Sequence, residues 1–186
     1  MEIILETLED TENFGKALAK TLLIQQEKGK LVNTIYLFGE MGVGKTTLTR
    51  SFVGSLPNAE NAEIASPSFT LCHEYPTKPE VYHADLYRLS NECELPEELQ
   101  NLGKKIVLLI EWPERLSLEV RVKNRLDICL KLLNDKNVKK SSLENIDNLD
   151  NLCEKKRQVT VFAHGDIASE FEIELQKHLQ NCFLLK

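Results

Sequence analysis

The chain has no cysteine pair at C-x-x-C spacing, no apolar run long enough to span a bilayer and no excess of positive charge. Each absence removes a class of protein. Its five cysteines, at positions 72, 93, 129, 153 and 182, are scattered and odd in number. That argues against a zinc or disulfide framework and fits reduced thiols in a cytoplasmic protein. A membrane helix needs about 18 consecutive apolar residues, and no run approaches that. The start, Met1 to Glu6, is acidic and lacks the basic stretch of a secretory signal. A formal net charge of −6 argues against a broad basic face that grips RNA or DNA. The locally basic stretch from Lys104 to Lys131 reads as a solvated face. There is no internal repeat. What remains is 186 residues, 42% hydrophobic and 28% charged, enough for one globular domain with a sizeable core.

The most informative segment is Gly39-Glu40-Met41-Gly42-Val43-Gly44-Lys45-Thr46, which fits the phosphate-loop pattern G-x-x-x-x-G-K-[ST] without a mismatch. The apolar run Ile35 to Phe38 precedes it and a helix-compatible stretch from Thr47 follows. The chemistry needs this order. A buried strand delivers the chain to a tight turn whose backbone N–H groups face an anion, and the helix N-terminus adds its positive dipole end. Met41, Gly42, Val43, Gly44, Lys45, Thr46 and Thr47 are therefore candidate nucleotide contacts. Lys45 reaches the β- and γ-phosphates, and the Thr46 hydroxyl is a Mg²⁺ ligand.

The remaining pattern predicts an α/β fold: a single-domain P-loop NTPase with a mostly parallel central sheet, flanking helices and antiparallel late strands. Thr7 or Asp10 caps a first helix whose face is Phe14, Ala17, Leu18, Thr21, Leu22 and Gln25, and Gly29 ends it. Strand 34–38, the loop and helix 45–55 follow. Residues 57–67 read as loop, 68–74 and 81–87 as strands, and 92–102 as a helix. Ile106 to Ile110 is a continuous apolar run, as expected of a central strand covered on both faces. Late strands are expected at 126–133 and 158–163, with a closing helix at 167–179. Between those strands, 134–157 is rich in Lys, Asn, Asp and Ser and reads as a mobile insertion.

A phosphate loop is completed by a carboxylate at the end of a neighbouring strand. Glu111 stands there, after five aliphatic residues, and reads as a metal ligand. Asp85 ends the other candidate strand. It orients the attacking water, acts as base or holds a metal-bound water; alternatively it caps a turn or pairs with Arg88. His83 shares its face and reads as structural. Trp112, the single tryptophan, either packs near a base or belongs to the core.

Four motifs now stand in order: Gly39 to Thr47, Ser66-Pro67-Ser68-Phe69-Thr70, His83-Ala84-Asp85-Leu86-Tyr87-Arg88-Leu89, and Glu111-Trp112. Together they resemble the TsaE (YjeE) family of bacterial ATPases of tRNA threonylcarbamoyladenosine synthesis, over about residues 5 to 133. The resemblance implies ATP and Mg²⁺ as ligands, with Thr46 and Glu111 on the metal. It implies Asp85 as the residue needed for hydrolysis, Lys45 on the phosphates and Ser68 within a switch segment, 66–70, near the γ-phosphate. It puts Leu8 to Thr11 and Trp112 near the adenine. Its implied partners are TsaD and TsaB, with tRNA contacted through them. Glu40, Ser68 and Ala84 stand where the family has Asp, Thr and a bulky Phe.

Two rivals share the phosphate loop. A small-molecule kinase calls for an arginine-bearing lid and an acceptor pocket, and the 134–157 stretch offers only Arg157. A GTPase calls for N-K-x-D after a buried strand. Asn124-Arg125-Leu126-Asp127 imitates that motif, but Glu119 to Lys123 is too charged to be the strand.

Overall fold

The computed structural model describes residues 1–65, 67, 70–100, 105–133 and 155–182. Among these, seven strands form one sheet: β1 (Glu2–Leu5), β2 (Thr34–Phe38), β3 (Cys72–Tyr75), β4 (Glu80–Asp85), β5 (Ile106–Glu111), β6 (Arg125–Leu132) and β7 (Arg157–His164). Their spatial order is β1-β7-β6-β2-β5-β4-β3. The four central strands β6, β2, β5 and β4 run parallel, and β3, β7 and β1 add antiparallel pairs at the two sides. Three helices accompany the sheet: α1 (Leu8–Glu27), α2 (Lys45–Gly54) and α3 (Asp166–Cys182).

Helix α1 begins where its chemistry says it should. The Thr7 hydroxyl accepts the Asp10 amide at 3.0 Å, and the Asp10 carboxylate accepts the Thr7 amide at 3.0 Å. This reciprocal box satisfies two amides that a helix start leaves orphaned. At the other end Gly29 takes φ +72°, its amide bonds to Gln26 and the Lys30 amide to Gln25. The left-handed glycine lets those last carbonyls be met. All six residues of the expected apolar face are buried.

The two faces of the sheet are covered differently. Ile35, Leu37, Val107, Leu109, Leu126, Ile128, Val159 and Val161 pack with residues of the three helices in the larger core. Alternate residues Tyr36, Leu108 and Ile110 face a smaller core closed by Leu86, Leu99 and Leu116, which lie outside the strands and the three α-helices. Here the sequence expectation of a helix at 92–102 is corrected over 92–100, its described part; 101 and 102 lie outside the described residues. Residues 97–99 make one 3-10 turn, Pro96 precedes it, and Cys93 bridges to Leu116, its amide bonded to the Arg115 carbonyl. Proline keeps the residue before it out of helical geometry, and tertiary pairing takes the backbone bonds. Strand β1 is an element the sequence reading did not include. Arg157, read as part of an insertion, is the buried first residue of β7. Positions 134–154, and with them the rest of that expectation, lie outside the described residues. Among the described residues no helix is long and apolar enough to cross a membrane.

Helix α2 is docked on α1 at Gly15. A Cβ there would lie 2.8 Å from the Ser51 Cβ and 3.0 Å from the Leu48 carbonyl oxygen, and the Ser51 hydroxyl donates to the Glu12 carbonyl at 2.6 Å. Gly15→Val is expected to lower stability by about 1–3 kcal/mol by forcing the helices apart. The exposed neighbour change Lys16→Ala should stay within about 0.5 kcal/mol. Denaturant unfolding of both variants checks this, and equal stabilities would refute the close approach.

Candidate functional site

Three parallel strands end side by side, and each end carries one expected site element. In the ladders Leu37 of β2 and Asp85 of β4 both pair with Glu111 of β5. The loop after β2, Asp85 and Glu111 therefore meet at the carboxyl edge of the sheet, where open α/β sheets bind ligands. A cleft of about 450 Å³ opens there, lined by Met41, Gly42, Gly44, Lys45, Thr46, Thr47, Asp85, Tyr87, Arg88, Glu111 and Trp112.

The loop is tight because Gly39 stands against β6. Gly39 has φ +140°, and a Cβ on it would meet the Leu130 carbonyl oxygen at 2.5 Å. No other residue fits. Helix α2 then starts at Lys45, with Gly44 as its cap in a left-handed conformation. This leaves the first amides of α2 without a side-chain cap, and a helix start carries partial positive charge.

Lys45 is almost wholly enclosed. Its ammonium donates to the Gly39 carbonyl at 2.7 Å and the Glu40 carbonyl at 3.1 Å, and lies 4.3 Å from the Trp112 ring centroid. Burial pushes its pKa down, and the Glu111, Asp85 and Glu114 carboxylates pull partway back. The Glu111 carboxylate is also buried. Its Oε1 lies 3.0 Å from Nε2 of the fully buried His83, whose Nδ1 is 3.4 Å from the Tyr75 hydroxyl. His83, expected to be structural, thus holds the orientation of Glu111. Asp85 Oδ1 accepts the Tyr87 amide at 2.9 Å, so Asp85 both shapes its turn and lines the cleft.

Trp112 explains how adjacent residues face one cavity. Successive strand residues point to opposite faces, yet Glu111 and Trp112 both line the cleft. Trp112 has left the strand geometry, with φ +58° and ψ +47°. Such a conformation costs a bulky residue about 1–3 kcal/mol. Its amide donates to the Leu37 carbonyl at 3.3 Å, and its ring lies 4.9 Å from the Tyr87 ring.

Other expected positions fall elsewhere. Leu8 lines a separate recess of about 310 Å³ with Glu12, Lys16 and Arg50, which meets the main cleft at Thr47. Trp112 lines the main cleft, on the other side of that junction. Val43 contributes backbone to the loop, while its side chain is buried in the larger core. Ser66, Ser68 and Phe69 lie outside the described residues. Pro67 is buried and its carbonyl accepts the Thr70 and Leu71 amides. The guanine-like motif is otherwise engaged. The Asp127 oxygens bond to Arg125 and His164, and Asn124 accepts the Ala168 amide of α3.

The oxygen donors lining the cleft include the Thr46 and Thr47 hydroxyls and the Asp85 and Glu111 carboxylates. Among the described residues no group of three or more histidines, cysteines or acids is placed to hold a metal alone. Oxygen donors of this number suit Mg²⁺, which completes its shell with phosphates and water. The Lys45 contact makes Trp112 a reporter. Lys45→Met is expected to change the Trp112 emission spectrum by removing the cation at its face. An unchanged spectrum would show that the contact is absent in solution.

Comparison with known proteins agrees with the motifs. The family model described as "Threonylcarbamoyl adenosine biosynthesis protein TsaE" matches residues 5–141. Proteins named "tRNA threonylcarbamoyladenosine biosynthesis protein TsaE" are similar to this chain. The one from Rickettsia bellii is 38% identical over 140 residues, covering 72% of this chain and 88% of that protein. The one from Haemophilus influenzae is 40% identical over 110 residues, covering 55% and 64%. The one from Aquifex aeolicus is 36% identical over 115 residues, covering 61% and 77%. The matched span contains the loop, Asp85, Glu111 and Trp112, and the chain belongs to the TsaE family.

Proposed function

We propose that the chain binds ATP with Mg²⁺ in this cleft, hydrolyses it slowly, and serves tRNA threonylcarbamoyladenosine synthesis together with TsaD and TsaB in the cytoplasm. The single observation that carries the ATP reading is the convergence of Lys45, Thr46, Asp85, Glu111 and Trp112 on one cleft at the strand ends. Family membership and the names of the relatives support the role in tRNA modification.

In this reading the loop amides and the start of α2 cradle the phosphate chain. Lys45 leaves the carbonyls of Gly39 and Glu40 and bonds to the β- and γ-phosphates. Thr46 and Glu111 would hold the metal, with Glu111 oriented by His83. Mg²⁺, when bound, neutralises charge that develops on the phosphates. Asp85 orients the attacking water and takes its proton. Hydrolysis then changes what the cleft holds, and that change controls docking on the partner proteins.

ATP titrations followed by Trp112 emission should saturate, and they should tighten with Mg²⁺. Glu111→Gln is expected to remove most of the Mg²⁺ dependence. Asp85→Ala should bind ATP nearly as well as the wild type and lose hydrolysis by about a hundredfold or more. Wild-type turnover in Asp85→Ala would refute its role. Accumulation of a phosphorylated small molecule, with ATP consumption requiring that acceptor, would favour a kinase instead.

The cellular role has its own test. A pull-down with TsaD and TsaB should give more complex with ATP than with ADP or no nucleotide. Association that ignores nucleotide would refute the docking role and leave the ATPase reading intact.

A further inference from the structure

Arg157 lies outside residues 5–141, the span matched by the family model, and belongs to no motif. It is the first residue of β7, paired with Leu5 of β1 and Leu132 of β6, and it is 5% exposed. A buried guanidinium is costly unless its donors are met. Its Nε donates to the Val43 carbonyl at 2.9 Å and its Nη1 to the Lys155 carbonyl at 2.9 Å. It also lies against the next residue of the loop. A Cβ added to Gly44 would be 3.2 Å from Arg157 Nε and 3.7 Å from its Cδ.

The Val43–Gly44 peptide is trans, since among the described residues the cis bond is Lys78–Pro79. In a trans peptide the carbonyl and the following N–H point in opposite directions. A Val43 carbonyl turned to Arg157 therefore turns the Gly44 N–H away from it. Gly44 lines the cleft, and Val43 is buried beneath it. The guanidinium stands against the Val43 carbonyl, and Arg157 is not among the residues that line the cleft. A guanidinium is a cation as well as a donor, so it adds positive potential there besides a hydrogen bond.

We propose that Arg157 is a positioning residue for the phosphate loop: it fixes the Val43–Gly44 peptide so that the Gly44 amide donates to bound phosphate. This rests on the nucleotide reading above. Arg157 acts through the peptide it holds. The late hairpin thereby contributes to phosphate binding from behind, at a position with no motif to mark it.

Pyrophosphate, ADP and adenosine are titrated against the wild type, Arg157→Leu and Arg157→Lys. Trp112 emission is the readout, at a temperature where circular dichroism shows each protein folded. Arg157→Leu should weaken pyrophosphate and ADP by about tenfold, the loss of one charge-assisted hydrogen bond. Adenosine should bind all three alike, and Arg157→Lys should recover most of the phosphate affinity. Wild-type ADP affinity in Arg157→Leu would overturn the proposal, as would equal weakening of pyrophosphate and adenosine. Should Arg157→Leu not fold, the wild type labelled with ¹⁵N-glycine decides. The Gly44 amide must move downfield with pyrophosphate; a still Gly44 beside shifted Gly39 and Gly42 amides overturns it. A wild type that binds neither pyrophosphate nor ADP would sink the nucleotide reading itself, and this assignment with it.

Discussion

The parallel hydrogen-bond ladders β2–β5 and β4–β5 set the positions of everything at the site. Because Leu37 and Asp85 both pair with Glu111, the strand ends are level, and the loop and two carboxylates arrive at one edge. A slip of one residue in either ladder would turn a carboxylate to the opposite face of the sheet. The apolar faces guard the register. Val107 and Leu109 belong to one core, Leu108 and Ile110 to the other, and a slip would exchange them.

That geometry brings together charges that would each be costly alone. Lys45, Asp85 and Glu111 are at most 7% exposed. The two carboxylates offset part of the desolvation of the ammonium, as the causes of the Lys45 shift make plain. The carbonyls of Gly39 and Glu40 meet its donors in the meantime. With ATP in the cleft the carboxylates would face a triphosphate, and a divalent cation between them is the ordinary resolution of such repulsion.

Much of this was legible in the sequence because it depends on local pattern. The glycine spacing of the loop, the face of α1 and the aliphatic run before Glu111 are each set by nearby residues, and all hold in the fold. What was not legible depends on distant chain. The left-handed turn at Trp112 is fixed by the Leu37 carbonyl, and nothing in Glu-Trp-Pro announces it. His83 gained its role only when β4 and β5 paired. The helix expected at 92–102 gave way to Pro96 and to a bridge with Leu116. Arg157 looked like one more residue of a polar stretch, because its partner, the Val43 carbonyl, lies on another part of the chain.

The unequal covering of the two sheet faces has a further consequence. The phosphate loop and α2 rest on the larger core, which three helices close. Trp112 packs against the smaller core, closed by irregular chain, as do Leu86 and Leu89 on either side of Tyr87 and Arg88. Segments with fewer buried apolar contacts open at lower free energy than the protein as a whole. The two walls of the cleft thus belong to units of different cooperativity. The wall on the smaller core therefore opens at lower free energy than the wall on the larger one.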